Sequence, residues 1–420
     1  MSGDSNPQPY DKGVAHVVLL LHSESYRAAD FLQAARQLGV DITVASDRRN
    51  PASADAEDGV IEVHLSEPDV AASAIVEYAG EAPVDAVVAV DDQGVATAAL
   101  ASEQLGLAHN PPAAVTATRN KAEMRCLLAT SGVDQPEFRI VETVGEAQTA
   151  ARHLGYPVVL KPVSLSASQG VIRVDKAADI PEVVERIRSI VEASGRGPDY
   201  PLLVERFIAG AEVAVEGLVR DGSLEVLAIF DKPDPLDGPY FEETIYVTPS
   251  RLPPKAQEAI RYVTAAAAKN LGLSEGPVHA ELRVKDSQAW MLEIAARSIG
   301  GLCARSLRFG LGISLEQLIL RHALGIPIHD LARTDAAAGV MMLPIPRAGR
   351  LRAVGGVEQA RAVDGVAGVE ITIAPGQELV PLPEGSRYLG FVFARGREPL
   401  AVEAALRAAH AELEFDIEAN

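Results

Sequence analysis

The chain has 420 residues, 48% hydrophobic and 23% charged, a globular composition that excludes disorder and is long enough for about two to four packed units. With 38 Lys and Arg against 58 Asp and Glu, its formal net charge of −20 argues against nucleic acid and anionic membranes as partners; a polyanionic ligand must be met by a few placed cations and backbone amides. The two cysteines, Cys126 and Cys303, are too few for a metal cluster and give no disulfide framework.

The polar start, Met1 to Gly13, carries Asp4, Pro7, Pro9 and Asp11 and lacks the basic start and small-residue cleavage site of a signal peptide. The apolar run Val17 to Leu21 is far short of the about 20 residues that span a bilayer, so a cytoplasmic location is expected. Val14 to Leu21 reads as a buried strand, Ser25 to Leu38 as a helix and Val40 to Ala45 as a second strand. Ala71 to Ala79 is a helix, and Val84 to Val90 a strand ending in Asp91-Asp92. Such alternation predicts a doubly wound α/β sheet. No G-x-G-x-x-G follows the first strand, where His22-Ser23-Glu24-Ser25 stands, so the unit has a Rossmann-like shape without a dinucleotide.

Asn110-Pro111-Pro112 marks the exit from that unit. Asn120 then reads as an N-cap, with Glu123 completing a capping box, for a helix that carries Met124, Leu127 and Leu128 and stops at Gly132. The predicted domains are a Rossmann-like 1–109, a two-lobed α+β 110–330 and a small α+β unit at 331–420. The lobes of the second are placed at about 135–206 and 207–330. Strands are expected near Gly339–Ile345, Val369–Ile373 and Tyr388–Ala394, and a helix over Pro399–Leu413. The sequence has no internal repeat and no low-complexity tract.

Four local signals carry chemistry. Lys121 sits at a helix start, where a solvated lysine is the ordinary alternative. Gly155 to Pro162 is a buried strand that delivers Lys161, and the run Val163 to Val171 (VSLSASQGV) follows it. A buried ammonium needs a partner, and a loop of small residues can turn several N–H groups toward one anion, so the pair reads as a phosphate site or, blandly, as a β-turn. Glu205 and Glu212 lie in the run from Leu203 to Glu212, between two strand-like stretches, where surface carboxylates are equally natural. Glu281 and Glu293 lie in successive strands joined at Asp286-Ser287, and pairing those strands brings both carboxylates together. Two adjacent carboxylates suit Mg²⁺ between them, or serve as partners for Arg283 or Arg297.

In this order the pieces resemble the ATP-grasp superfamily over about Asn110 to Gly325, with the first stretch resembling a pre-ATP-grasp fold. The resemblance implies ATP and Mg²⁺ (or Mn²⁺) as cofactors. It implies Lys121 and Lys161 on the phosphates, closed over by the Ser164–Gly170 loop with Ser168, Gln169 and Gly170. Glu205 and the backbone of Arg206 and Ile208 would take adenine, and Glu212 the ribose hydroxyls. Glu281 and Glu293 would hold the metal. Glu293-Ile294-Ala295-Ala296-Arg297-Ser298-Ile299-Gly300-Gly301 resembles the E-I-x-x-R-x-x-G-G run of the L-amino-acid ligases, and the Pro277–Glu281 run and the tail (GFVFARG, then EFDIE) look like the same group. Ala295 departs from the many ATP-grasp enzymes with Asn there as a further metal ligand, which bears on a second Mg²⁺.

The implied chemistry is ATP-dependent joining of a carboxylate to an amine, both small molecules and amino acids by resemblance, through an acyl phosphate, by a homodimeric enzyme. Arg297 is the candidate for stabilising the acyl phosphate and oxyanion, with Lys161 assisting phosphoryl transfer. Glu242 or Glu243, in the loop Pro233 to Pro249, would pair with a substrate ammonium near His279, or belong to a solvated loop. A carboxylase or purine-biosynthesis enzyme shares the fold; the Asn and Q-V-E-H of biotin carboxylases and any biotinyl-lysine segment are absent here. A non-catalytic nucleotide-binding module is a further alternative. A dinucleotide oxidoreductase is disfavoured by the missing glycine fingerprint.

Overall fold

The computed structural model describes residues 14–23, 25–48, 60–197, 199–334 and 336–419, so the polar start and Glu24 lie outside it. The chain divides into two compact units, one formed by residues up to Ala108 with Glu316–Ile328, the other by His109–Leu315 with His329–Asn420.

The first unit is the expected doubly wound sheet. Its strands β1 (His16–Leu20), β2 (Asp41–Ser46), β3 (Val60–Glu62) and β4 (Ala86–Ala89) are all parallel in the order β3-β2-β1-β4. Helices α1 (Ala28–Leu38), α2 (Pro68–Glu81) and α3 (Val95–Leu105) alternate with them. Val17 to Leu20 have no exposed surface, which explains a strand without polar alternation. Helix α1 turns Phe31, Leu32 and Ala35 inward and stops at Gly39, whose left-handed φ of 65° closes the C-terminus.

In the second unit, α4 (Pro112–Arg119) and α5 (Lys121–Thr130) lead into a small lobe. Asn120 caps α5 by accepting from the N–H groups of Ala122 and Glu123, as expected; the two-way capping box lies instead at Thr143 and Glu146, where α6 starts. The lobe comprises β5 (Phe138–Val141), α6 (Val144–Leu154), β6 (Val158–Pro162), β7 (Ile172–Val174), α7 (Ile180–Ala193) and β8 (Leu202–Arg206). Its antiparallel sheet runs β5-β8-β6-β7 over a core of Leu160, Val184, Ile187 and Val204.

The larger lobe contains β9 (Ala211–Arg220), β10 (Ser223–Lys232), β11 (Ile245–Thr248), α8 (Pro254–Leu271), β12 (Gly276–Lys285) and β13 (Gln288–Ala295). Helix α9 (Leu315–Ala323), all but its first residue, lies within Glu316–Ile328, which belong to the first unit. The tail supplies β14 (Ala337–Leu343), β15 (Gly349–Gly355), α10 (Val357–Ala362), β16 (Val366–Ile371), β17 (Glu378–Leu379), β18 (Gly390–Gly396), α11 (Pro399–Ala411) and β19 (Glu414–Glu418). One eight-stranded sheet runs β13-β12-β9-β10-β11-β14-β18-β16, so the tail placed separately from residue 331 extends the sheet of the larger lobe. It still has a core of its own, with Leu343, Val392, Val402 and Leu406 at its centre.

The two faces of this sheet differ. Along β12, Val278, Ala280, Leu282 and Val284 pack in the core with Ile260 and Val263 of α8. The alternate residues His279, Glu281 and Arg283 share the opposite face, because strand side chains alternate. That polar face carries the candidate site.

Candidate active site

Register sets the rows of this face. Lys232, Glu212 and Arg283 are partners across β10, β9 and β12; Ala214, Glu281 and Glu293 across β9, β12 and β13; Glu216, His279 and Ala295 across the same three strands. The hairpin joining β12 to β13 turns at Asp286 and Ser287, with φ of 50° and 61°, a two-residue turn of the I′ kind, and the bulge that leaves Leu292 unpaired then shifts the register by one and sets Glu281 opposite Glu293.

Each of the two facing carboxylates has side-chain cations of its own. Glu281 lies 3.5 Å from Lys232 Nζ and 3.6 Å from His279 Nε2. Glu293 is held by Lys121 Nζ at 3.2 Å, and that ammonium also donates to the Leu165 carbonyl at 2.8 Å. Arg283, one of the two arginines offered as alternative partners for these glutamates, is bound to Glu212 at 2.8 Å. Lys232 is 2.8 Å from the other oxygen of Glu212 and pairs closely with Glu243. Oxygens of Glu212, Glu243 and Glu281 all lie within 4.8 Å of one another. These are hard donors of the kind Mg²⁺ and Mn²⁺ take.

Charge is tightly balanced here. Burial works against the Lys232 ammonium, but Glu212, Glu243 and Glu281 outweigh it and hold its pKa above the ordinary range. Burial, reinforced by the nearby Glu281 charge, pushes the Glu243 carboxyl up. Burial also opposes charge on Glu281, yet Lys232 and His279 bring it well below the usual carboxylate value. His279 is raised to about 9: burial disfavours its cation, and the close carboxylates of Glu216 and Glu281 overcome that. Glu242, half-buried, is raised by burial alone. Of the two loop glutamates, Glu243 is the one that reaches Lys232.

Lys161 projects from β6 and binds Glu205 Oε2 at 2.7 Å, while Arg125 Nε donates to Glu205 Oε1 at 2.6 Å. Arg125 is wholly buried and also donates to the Leu292 carbonyl at 2.7 Å, beside the bulge between β12 and β13. Burial lowers the Lys161 pKa despite Glu205, with Arg125 and Lys121 adding like charge. For Glu205 the two cations prevail over burial and lower it. The carboxylate expected at adenine is therefore engaged by two cations. Arg206 donates from its N–H to the Glu137 carbonyl at 2.9 Å and from its side chain to the Glu137 carboxylate at 2.8 Å. Ile208 follows in the link to β9.

The loop after β6 bends through Ala167, Ser168 and Gly170, with φ of 54°, 56° and 70°. The Gly170 N–H donates to the Pro383 carbonyl at 2.9 Å, and the Gln169 side chain to the Glu384 carbonyl at 2.6 Å. Arg186 of α7 grips the Glu384 carboxylate at 2.6 and 3.1 Å. The expected phosphate loop is thus fastened to the tail. Arg297 lies just past β13, and its guanidinium donates to the Ser298 carbonyl at 2.9 Å.

Sequence reasoning missed Arg125 and Glu216. Arg125 lies four residues after Lys121 on one helix face, a spacing that was available as a signal. Glu216 had no local signal, because its partners come from β12 and from the segment after β13.

Residues 154–306 match the family described as ATP-grasp domain, 32–109 the ATP-grasp N-terminal domain, and 341–418 the L-amino acid ligase C-terminal domain 2. An alanine–anticapsin ligase of Bacillus subtilis is 29% identical over 263 residues, 59% of this chain and 55% of the relative, so the match spans about half the length of that relative. The crystal structure of an L-amino acid ligase from Bacillus licheniformis superposes with a TM-score of 0.81 at 26% identity, covering 97% of this chain and 100% of that one. Phosphoribosylglycinamide synthetase from Anaerococcus prevotii, at 15% identity, a TM-score of 0.71 and coverage of 97% and 100%, shares the fold.

Proposed function

We propose that this chain, whose residues 154–306 match the ATP-grasp domain, is an ADP-forming ligase joining the carboxylate of one amino acid to the amine of another. The observation that carries the reading is one polar sheet face with Glu281 opposite Glu293, Lys121 on Glu293, and Arg297 following in the same strand-to-loop run. The tail's match to the L-amino acid ligase C-terminal domain favours this reading over a carboxylase or a purine-biosynthesis enzyme.

In this reading Lys121, Lys161 and the Ser168–Gly170 loop take the phosphates, Glu205 with the backbone of Arg206 and Ile208 takes adenine, and Glu212 takes the ribose. Mg²⁺ or Mn²⁺ would be held by the hard oxygens of Glu281 and Glu293, and when bound supplies charge neutralisation. A substrate carboxylate oxygen attacks the γ-phosphorus, the bond to ADP breaks, and an acyl phosphate forms. The second substrate's nitrogen attacks the acyl carbon, phosphate leaves with its C–O bond electrons, and the nitrogen sheds a proton. Arg297 steadies the oxyanion between these events. Glu243, with His279 nearby, faces the substrate ammonium.

Cys126 is exposed, Cys303 is buried, and neither forms a disulfide, which suits a reducing cytoplasm; no helix among the described residues is long and apolar enough to cross a membrane. A homodimer completes the reading, and light scattering checks it. The function is tested by screening amino-acid pairs for phosphate release and chromatographing the spent nucleotide. ADP with an amide product of matching mass is expected; AMP as the main product overturns the assignment.

A further inference from the structure

We infer that Glu216 is a positioning residue: from the middle of β9 it anchors the segment that carries Arg297 and faces the His279 imidazole beside it. Regular pairing of β13 ends at Ala295, so residues 296–301 have no strand ladder to orient them. Glu216 is fully buried, and a carboxylate there is stable only with partners. Its Oε1 accepts the backbone N–H of Ile299, two residues past Arg297, and faces His279 Nδ1 at 3.3 Å. Ser298 and Ile299 are themselves buried, so the segment lies down on the sheet at the point where Glu216 holds it. One carboxylate thus ties β9, β12 and the Arg297 segment together. The ends of that tie stand beside Glu281 and beside the guanidinium, the two groups the ligase reading needs aligned.

The inference rests on that reading for its kinetic consequence and on geometry alone for the anchor. Glutamine keeps an acceptor oxygen at the same reach, aspartate keeps the charge but is one methylene short, and alanine removes both. The test uses full-length Glu216→Ala, Glu216→Asp and Glu216→Gln, with three measurements. These are amide exchange at Ile299 by mass spectrometry, MgADP affinity by calorimetry, and phosphate release with the best amino-acid pair.

In the Ala and Asp variants, exchange at Ile299 should rise at least about tenfold and kcat fall about 100-fold, the usual effect of a misplaced group, with MgADP affinity within about twofold of native. Glu216→Gln should restore slow exchange and regain at least about tenfold of the lost kcat. If Glu216→Ala does not fold, the Asp and Gln pair decides. Unchanged exchange at Ile299, MgADP affinity falling in step with kcat, or a Gln variant as impaired as Asp overturns the inference. A native chain that releases no phosphate with any pair sinks the ligase reading, and the exchange measurement still decides the anchor.

Discussion

Arg297 and Arg125 are both guanidinium groups near the candidate site, and their surroundings assign them different work. Arg297 sits on an irregular segment just beyond a strand, bound to a neighbouring carbonyl, where it can grip two oxygens of a phosphoryl group. Arg297→Ala should lower kcat by about 10²–10³, with ATP affinity and melting temperature little changed, and Arg297→Lys should recover little because an ammonium lacks the fork. A well-folded Arg297→Ala enzyme of near-normal kcat removes it from the mechanism. Arg125 is enclosed, and its guanidinium locks Glu205 against Lys161. Arg125→Met removes one partner of a buried pair, so it should cost about 3–5 kcal/mol in urea unfolding. In a double-mutant cycle with Glu205→Gln, coupling of about 0.5–3 kcal/mol is expected. Additivity of the two changes would show that Arg125 does not act through Glu205.

Two elements carry most of the site's geometry, α5 and the β12–β13 hairpin. Helix α5 sets Lys121 and Arg125 one turn apart, so a single capped helix start reaches Glu293 on the large sheet and Glu205 on the small one. The hairpin sets Glu281 against Glu293 through a bulge at Leu292 and a turn in which two non-glycine residues adopt positive φ. That conformation is costly for any residue with a Cβ. Ser287→Gly should therefore stabilise the protein by about 1 kcal/mol, read as a higher urea midpoint with unchanged slope. A lower midpoint would mean that the serine makes contacts worth more than the strain. The hairpin was legible in the sequence as two strand-like runs around Asp286-Ser287. The role of α5 was half legible, since Lys121 was singled out and Arg125 was not.

At the scale of the whole molecule, a net charge of −20 leaves the protein with many carboxylates whose protonation tracks stability in acid. Glu205 is held below its ordinary value near 4.5 by Arg125 and Lys161. A lowered acid stabilises the fold fully above that ordinary value and loses its contribution as pH falls through the lower folded one. The stability gap between the native chain and Glu205→Gln should thus be constant from pH 7 to about 5 and narrow in stronger acid. A gap that stays constant down to pH 3 would show that Glu205 does not carry this dependence.

The sequence by itself determined the strand-helix alternation of the first stretch, the ATP-grasp resemblance and the strands or helix start that carry Lys121, Lys161, Glu281 and Glu293. Those features are written in local pattern: apolar runs of strand length, a cap before a lysine, a turn between two carboxylate-bearing strands. What only the tertiary structure decided is which charge meets which. Lys232 faces Glu212, Glu243 and Glu281, Arg283 turns to Glu212, and Glu205 is shared by Arg125 and Lys161. The tail's place in the same eight-stranded sheet was decided there as well, through the pairing of β11 with β14. Lys121 and Glu293, which meet in the same site, lie 172 residues apart in the chain. Burial forces each enclosed charge to find an opposite one, but strand register and helix docking choose among the candidates, and neither is encoded in a local window.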